Sequence, residues 1–229
     1  MPMSYLSSYQ LFNALEKAFT CPARSLTKSR GKNIHRYASI KMRCIISVES
    51  TLEFDSCFHF DFQKEIIRFC SQPIRFSYEL NGKEHTYVPD FLVQFDCGEF
   101  VLYEVKTDEE ANSQRFKLEF EAKKLAAQKL LGVDLELIKE KAIRIVPLLK
   151  NLKLMHRYSS RKELTEHQKI LLSILQKNRD KKIEDLMYLT GFSCQSIFPM
   201  VCDLLSRSLF QTDLYSPLNK STKLGVVCA

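Results

Sequence analysis

The apolar positions of this chain change period several times, and the changes predict an ordered series of helices and strands. Residues 4–19 carry apolar side chains at helical spacing, so a short amphipathic helix is expected, ended by the Cys21-Pro22 step. Behind Ser50 as an N-cap, residues 51–64 hold Leu52, Phe54, Phe58, Phe60 and Phe62 at a partly helical spacing, and residues 66–69 extend the apolar run towards Gln72-Pro73. A helix is expected there. The pattern then becomes that of strands. Residues 74–80 and 85–94 flank Asn81-Gly82, a strong hairpin signal, and residues 100–106 follow Asp96-Cys97-Gly98 as the third strand of a meander. Ser113 caps a long helical stretch to Leu131, with Phe116, Phe120, Ala127 and Leu131 on or near one face. Gly132 ends it before a strand at 142–146 and Pro147. Helix, strands, helix, strand is an α/β order.

Residues 151–162 are polar and basic and read as a boundary, which divides the chain into a domain at 1–160 and another at 161–229. In the second, Thr165 with Gln168 matches a capping box opening a helix to about Lys177. Residues 182–190 make a short helix closed by Gly191, and 193–208 a third. This is a helix-turn-helix pattern. The tail 210–227, with Pro217 and Asn219 between apolar flanks, would supply a two-stranded wing. Pro199 does not suit a helix interior, so the third helix is expected to start nearer Ser196.

Length and composition add bounds. At 229 residues, with 45% hydrophobic and 11% aromatic content, packed cores are expected rather than disorder. The first twenty residues are interrupted by Ser, Gln, Asn, Glu and Lys, and no apolar run reaches bilayer length, so a cytoplasmic protein with no membrane association is expected. The eight cysteines form no C-x-x-C pair and sit mostly among apolar residues, which reads as buried thiols rather than zinc ligands or disulfides. The five histidines make no ligand-like cluster. A net charge of +7 favours a polyanionic partner, and its distribution sharpens the point. Arg24, Lys28, Arg30, Lys32, Arg36, Lys41 and Arg43 lie in one stretch without an acidic residue, a candidate double-stranded-DNA arm that tracks phosphates.

The candidate chemistry lies in Val88-Pro89-Asp90-Phe91 and Tyr103-Glu104-Val105-Lys106. Asp90 and Glu104 offer hard oxygen donors of the kind magnesium prefers, and the Val105 carbonyl could complete the protein ligands. Lys106 lies two residues from Glu104, hence on the same face of a strand. A cation, a water and a lysine could then converge on one phosphate, as phosphodiester hydrolysis requires. A further carboxylate from the preceding helix is expected, and Glu49 and Glu53, four apart, both qualify.

Glu53 is preferred because of a resemblance. Ser50-Thr51-Leu52-Glu53, Gln72-Pro73, Tyr87-Val88-Pro89-Asp90-Phe91-Leu92-Val93 and Glu104-Val105-Lys106 together resemble the TnsA endonuclease family of heteromeric cut-and-paste DNA transposons. The resemblance implies a restriction-endonuclease-like core with a C-terminal winged-helix domain, and catalytic roles for Glu53, Asp90 and Lys106, to which the reading of the residues adds Glu104. Some members carry glutamine at the position of Glu104, which here resembles the wider restriction-nuclease superfamily. The implied activity is magnesium-dependent cutting of the non-transferred strand at the 5′ ends of a transposon, with manganese able to substitute. The implied partners are a TnsB-like transposase and a TnsC-like ATPase regulator in a bacterial, nucleoid-associated complex. Between residues 193 and 208 only Gln195 and Arg207 suit base reading, so protein docking is expected of that helix. Two other readings remain: an inactive scaffold of the same complex, and a stand-alone restriction or repair nuclease.

Overall fold

The computed structural model describes residues 8–20, 23, 33–160, 162–178 and 180–227. It begins with helix α1 (Ser8–Ala18), a hairpin of β1 (His35–Ala38) and β2 (Ile45–Val48), helix α2 (Thr51–Phe62) and strand β3 (Ile66–Ser71). A second hairpin, β4 (Phe76–Leu80) and β5 (Lys83–Tyr87), precedes β6 (Phe91–Phe95) and β7 (Phe100–Lys106). Then come the helical turn α3 (Asp108–Asn112), α4 (Gln114–Leu131), β8 (Asp134–Lys139) and α5 (Glu140–Ile143). These elements lie in the first of two compact units, which part after Arg144.

The central sheet runs β3-β6-β7-β8, antiparallel except for the parallel β7-β8 pair. Alternation of side chains across the strands supplies both of its faces. On one face, Phe60 of α2 packs against Phe69, Phe91 and Tyr103 at ring separations of 5.4, 5.1 and 5.8 Å. On the other, Cys70, Leu92, Leu102 and Leu135 form a cluster with Phe120, Ala127 and Leu131 of α4 and Leu15 and Ala18 of α1. Each such large apolar side chain contributes roughly 1.5–3 kcal/mol on burial, so the sheet is held from both sides and its strand ends are rigid platforms.

The helix caps follow the sequence. Ser50 accepts from the Glu53 amide at the start of α2, Ser113 from the Phe116 amide at the start of α4, and Gly132 closes α4 at a φ of 64°. Other expectations need correction. Residues 66–71 form strand β3 rather than continuing the apolar run of a helix, because a short buried run carries no period that separates the two. The expected meander is instead a detached β4-β5 hairpin followed by a separate strand β6. Pro89 has no amide hydrogen for a ladder, and the chain crosses to the central sheet at Val88-Pro89-Asp90. The last strand of the unit is Asp134–Lys139, not residues 142–146, which begin in helix α5; every residue of β8 pairs with β7, from Val101↔Asp134 to Lys106↔Lys139. Cys57, Cys70 and Cys202 are buried as expected, but Cys44 and Cys97 are at the surface.

The second unit contains α6 (Leu148–Tyr158), α7 (Glu166–Lys177), β9 (Lys181–Lys182), α8 (Ile183–Thr190), α9 (Cys194–Ser206), β10 (Phe210–Gln211) and β11 (Lys223–Val226). The three strands form an antiparallel sheet in the order β10-β11-β9. Residues expected as a polar boundary are thus mostly helix α6, whose Leu149, Leu152 and Met155 are buried and which packs on α9. Thr165 and Gln168 form the expected capping box, and Gly191 ends α8 at a φ of 71°. Helix α9 starts at Cys194, capped by Ser193, so Pro199 lies inside it and not in its first turn. No helix among the described residues is long and apolar enough to cross a membrane.

Candidate active site

Asp90 sits where the chain enters β6, and three backbone contacts fix it: its amide donates to the Tyr103 carbonyl, its carbonyl accepts from the Gln72 amide, and its Oδ2 accepts from the Val105 amide at 2.8 Å. Glu104 and Lys106 project from the same face of β7, as their spacing predicts. Lys106 Nζ lies 2.9 Å from Glu104 Oε1 and 3.4 Å from the Val105 carbonyl. Glu104, only 4% exposed, also accepts a short hydrogen bond at Oε2 from the Tyr87 hydroxyl.

Glu53 comes from the first turn of α2 and is 6% exposed. The Ser50 hydroxyl donates to its Oε1 at 2.8 Å and the Glu49 amide to its Oε2 at 3.1 Å. A short Ser-x-x-Glu pattern therefore does two things at once: it caps the helix and aims a carboxylate towards the sheet. Electrostatics joins the four residues. Desolvation, then the charges of Glu104 and Glu53, push the Asp90 carboxyl well above the usual carboxylate range, against the pull of Lys106 and the Val105 amide. Burial likewise raises Glu53, opposed first by the Ser50 hydrogen bond and also by Lys106. Burial works against a charge on Lys106, but Glu104 and Asp90 hold its ammonium above the ordinary lysine value. Crowded carboxylates around one ammonium form an anionic site that a divalent cation would relieve.

Among the described residues, no group of three or more His, Cys, Asp or Glu side chains is placed to hold a metal ion. Asp90, Glu104 and the Val105 carbonyl would offer a hard cation oxygen donors, with waters to complete its shell.

Two open clefts meet at these residues. One, of about 430 Å³, is lined by Glu49, Gln72, Arg75, Thr86, Tyr87, Val88, Asp90, Glu104 and Lys123. The other, of about 480 Å³, is lined by Asn33, His35, Glu49, Ser50, Glu53, Lys106, Glu110 and Arg144 among others. Glu49 borders both, so the preference for Glu53 does not remove Glu49 from the site.

The basic stretch divides. Arg24, Lys28, Arg30 and Lys32 lie outside the described residues. Arg36 on β1 and Arg43 in the following turn are exposed. Lys41 is committed elsewhere: its ammonium donates to the carbonyls of Phe60 at 2.8 Å, Gln63 at 2.6 Å and Ile66, closing the C-terminal end of α2. With all three donors used, it has none left for a phosphate. Its neighbour Asp61 is equally structural, accepting from the Tyr37 and Ser39 hydroxyls and the Ile40 and Lys41 amides.

Residue order alone does not single out Tyr87, Arg75 or Lys123. Tyr87 precedes Asp90 by three positions and reads as an ordinary strand aromatic. Lys123 stands among the many charges of α4, where a lysine ordinarily marks a solvated face; it is 6% exposed. Gln72 does carry a signal, a non-glycine residue before proline that the structure holds at a φ of 49° beside Asp90.

No match is found among curated proteins. Residues 63–140 match the family model described as TnsA-like endonuclease N terminal, a segment that includes Asp90, Glu104, Lys106, Tyr87 and Lys123 but not Glu53. The chain is thus similar to the TnsA-like endonucleases over this N-terminal-domain segment, which spans less than half of its length.

Proposed function

We propose that this chain is the endonuclease of a cut-and-paste transposition system and hydrolyses the non-transferred strand at the 5′ ends of the transposon. The observation that carries the reading is the convergence of Asp90, Glu104 and Lys106 at the joined ends of β6 and β7, within a TnsA-like domain. Asp90, Glu104 and the Val105 carbonyl would hold magnesium, which when bound supplies a Lewis acid and an activated water. The protein's own part is orientation. The Val105 amide fixes the Asp90 carboxylate, Tyr87 and Lys106 fix the two oxygens of Glu104, and Glu53 adds charge behind Lys106. Lys106, kept protonated by its anionic neighbours, stabilises charge developing on the phosphate oxygens as the water attacks in line with the leaving oxygen.

The basic stretch, Lys41 excepted, serves the same substrate in this reading. Its described neighbours support this: the Ala23 amide donates to the Gln72 carbonyl at 2.9 Å, and Asn33 lines the cleft of Glu53 and Lys106. We read the second unit as a winged helix that docks a TnsC-like ATPase, with a TnsB-like transposase as the second partner. Helices α7 to α9, the Gly191 turn and the small β10-β11-β9 sheet support the winged-helix reading. Arg207 supports docking over base reading, because its guanidinium is held by Asp203 Oδ2 at 2.9 Å and the Lys162 carbonyl at 2.7 Å. Crosslinks from α9 to bases would overturn that assignment.

The test is strand-specific cleavage of transposon-end DNA with magnesium and the partner transposase, comparing the native chain with Asp90→Ala. Loss of 5′-end nicks with 3′-end cleavage retained is the expected result. Unchanged nicking overturns the proposal.

A further inference from the structure

The cleft beside Asp90 and Glu104 carries two cations that the chemistry above does not use. Lys123 projects from α4 and is almost fully buried, a placement that lysine takes rarely without a specific partner. Its Nζ lies 2.8 Å from Glu119 Oε1 and 4.3 Å from the centre of the Tyr87 ring, the same ring whose hydroxyl holds Glu104. Tyr78 braces the arrangement by donating to Glu119 Oε1 at 3.0 Å. If packing were the only requirement, an apolar residue at 123 would serve better than a charge that must be desolvated and then partnered. Arg75 is exposed on the same cleft and makes no ion pair among the described residues.

Resting on the nuclease reading, we propose that Lys123 and Arg75 bind phosphates of the substrate strand, on the side of Glu104 away from the Lys106 cleft. Lys106 lines one cleft and these two cations line the other, with Glu49 bordering both and Glu104 bonded to Lys106. A strand laid along the pair of clefts brings one phosphate to the carboxylates and Lys106, and its neighbour to Lys123 and Arg75. Tyr87 is the positioning residue between them, holding Glu104 by its hydroxyl and Lys123 over its ring face.

The test is binding of the full chain to a short DNA duplex without divalent ion, across a series of salt concentrations starting low. Removing one cation that pairs with a phosphate lowers the slope of log affinity against log salt by about 1. Lys123→Gln and Arg75→Ala are each expected to lower the slope by that amount, the double variant by about twice that, and Lys123→Arg to restore it. Arg75 is exposed, so its variant reports even if Lys123→Gln fails to fold. Slopes equal to native in folded variants overturn the inference, as does a native chain that binds no duplex at low salt. Cleavage by the native chain separates the two ideas: nicking with unchanged slopes sinks only the phosphate-binding roles, and reduced slopes without nicking sink only the nuclease reading.

Discussion

The Val105 amide donates to Asp90 Oδ2 at 2.8 Å, so a backbone group of β7 orients a carboxylate at the start of β6. That bond favours the charged carboxylate, but desolvation and the charges of Glu104 and Glu53 outweigh it, and the folded-state pKa is raised. The sign follows. In the ion-free chain the stabilising contribution of Asp90 is fully present below its unfolded value of 3.8 and is lost as pH rises through the higher folded value.

Asp90→Asn keeps an oxygen for the Val105 amide and removes the crowded charge. Without divalent ion at neutral pH it should stabilise the fold by about 1–3 kcal/mol while abolishing nicking. Thermal unfolding with a chelator checks the first and plasmid nicking the second. A lower melting temperature would contradict the crowding argument.

Lys106→Met should lower kcat by roughly 100- to 1000-fold, the scale seen when one oriented donor is removed from a transition state. Lys106→Arg should recover little, because a planar guanidinium does not reproduce a point charge set 2.9 Å from Glu104 Oε1. Single-turnover cleavage distinguishes this from weakened DNA binding.

Tyr87→Phe removes only the hydroxyl that holds Glu104 Oε2. Loss of such a supporting hydrogen bond typically costs about 10–100-fold in metal affinity or activity. The expected result is weaker binding of magnesium by titration calorimetry, with the melting temperature little changed.

Lys41→Met should behave in the opposite way to Lys123 and Arg75. It strips donors from the Phe60, Gln63 and Ile66 carbonyls and should destabilise the fold by about 2–4 kcal/mol in denaturant unfolding, with the salt slope for DNA unchanged. A normal fold with a reduced slope would return Lys41 to the DNA arm.

Local chemistry was legible from residue order. Ser50, Ser113, Thr165, Gly132 and Gly191 act through neighbours within four positions, so the caps they predict are present. The two-residue period likewise put Glu104 and Lys106 on one face of β7. What periodicity could not separate was a short buried strand from a helix, hence the surprise of β3, or which of two nearby segments would pair with β7, hence the shift to β8.

The sequence by itself determined the helix caps and the chemical types at Asp90, Glu104 and Lys106, because those depend on contacts a few residues apart. Only the tertiary structure decided that Lys41 closes a helix and that Lys123, on another element, shares a cleft with Asp90. Both are lysines among other charges, alike in sequence. Their roles differ because folding carries one amine to the carbonyls that end α2 and the other to the aromatic wall beside Glu104, and contacts across long separations leave no period to read.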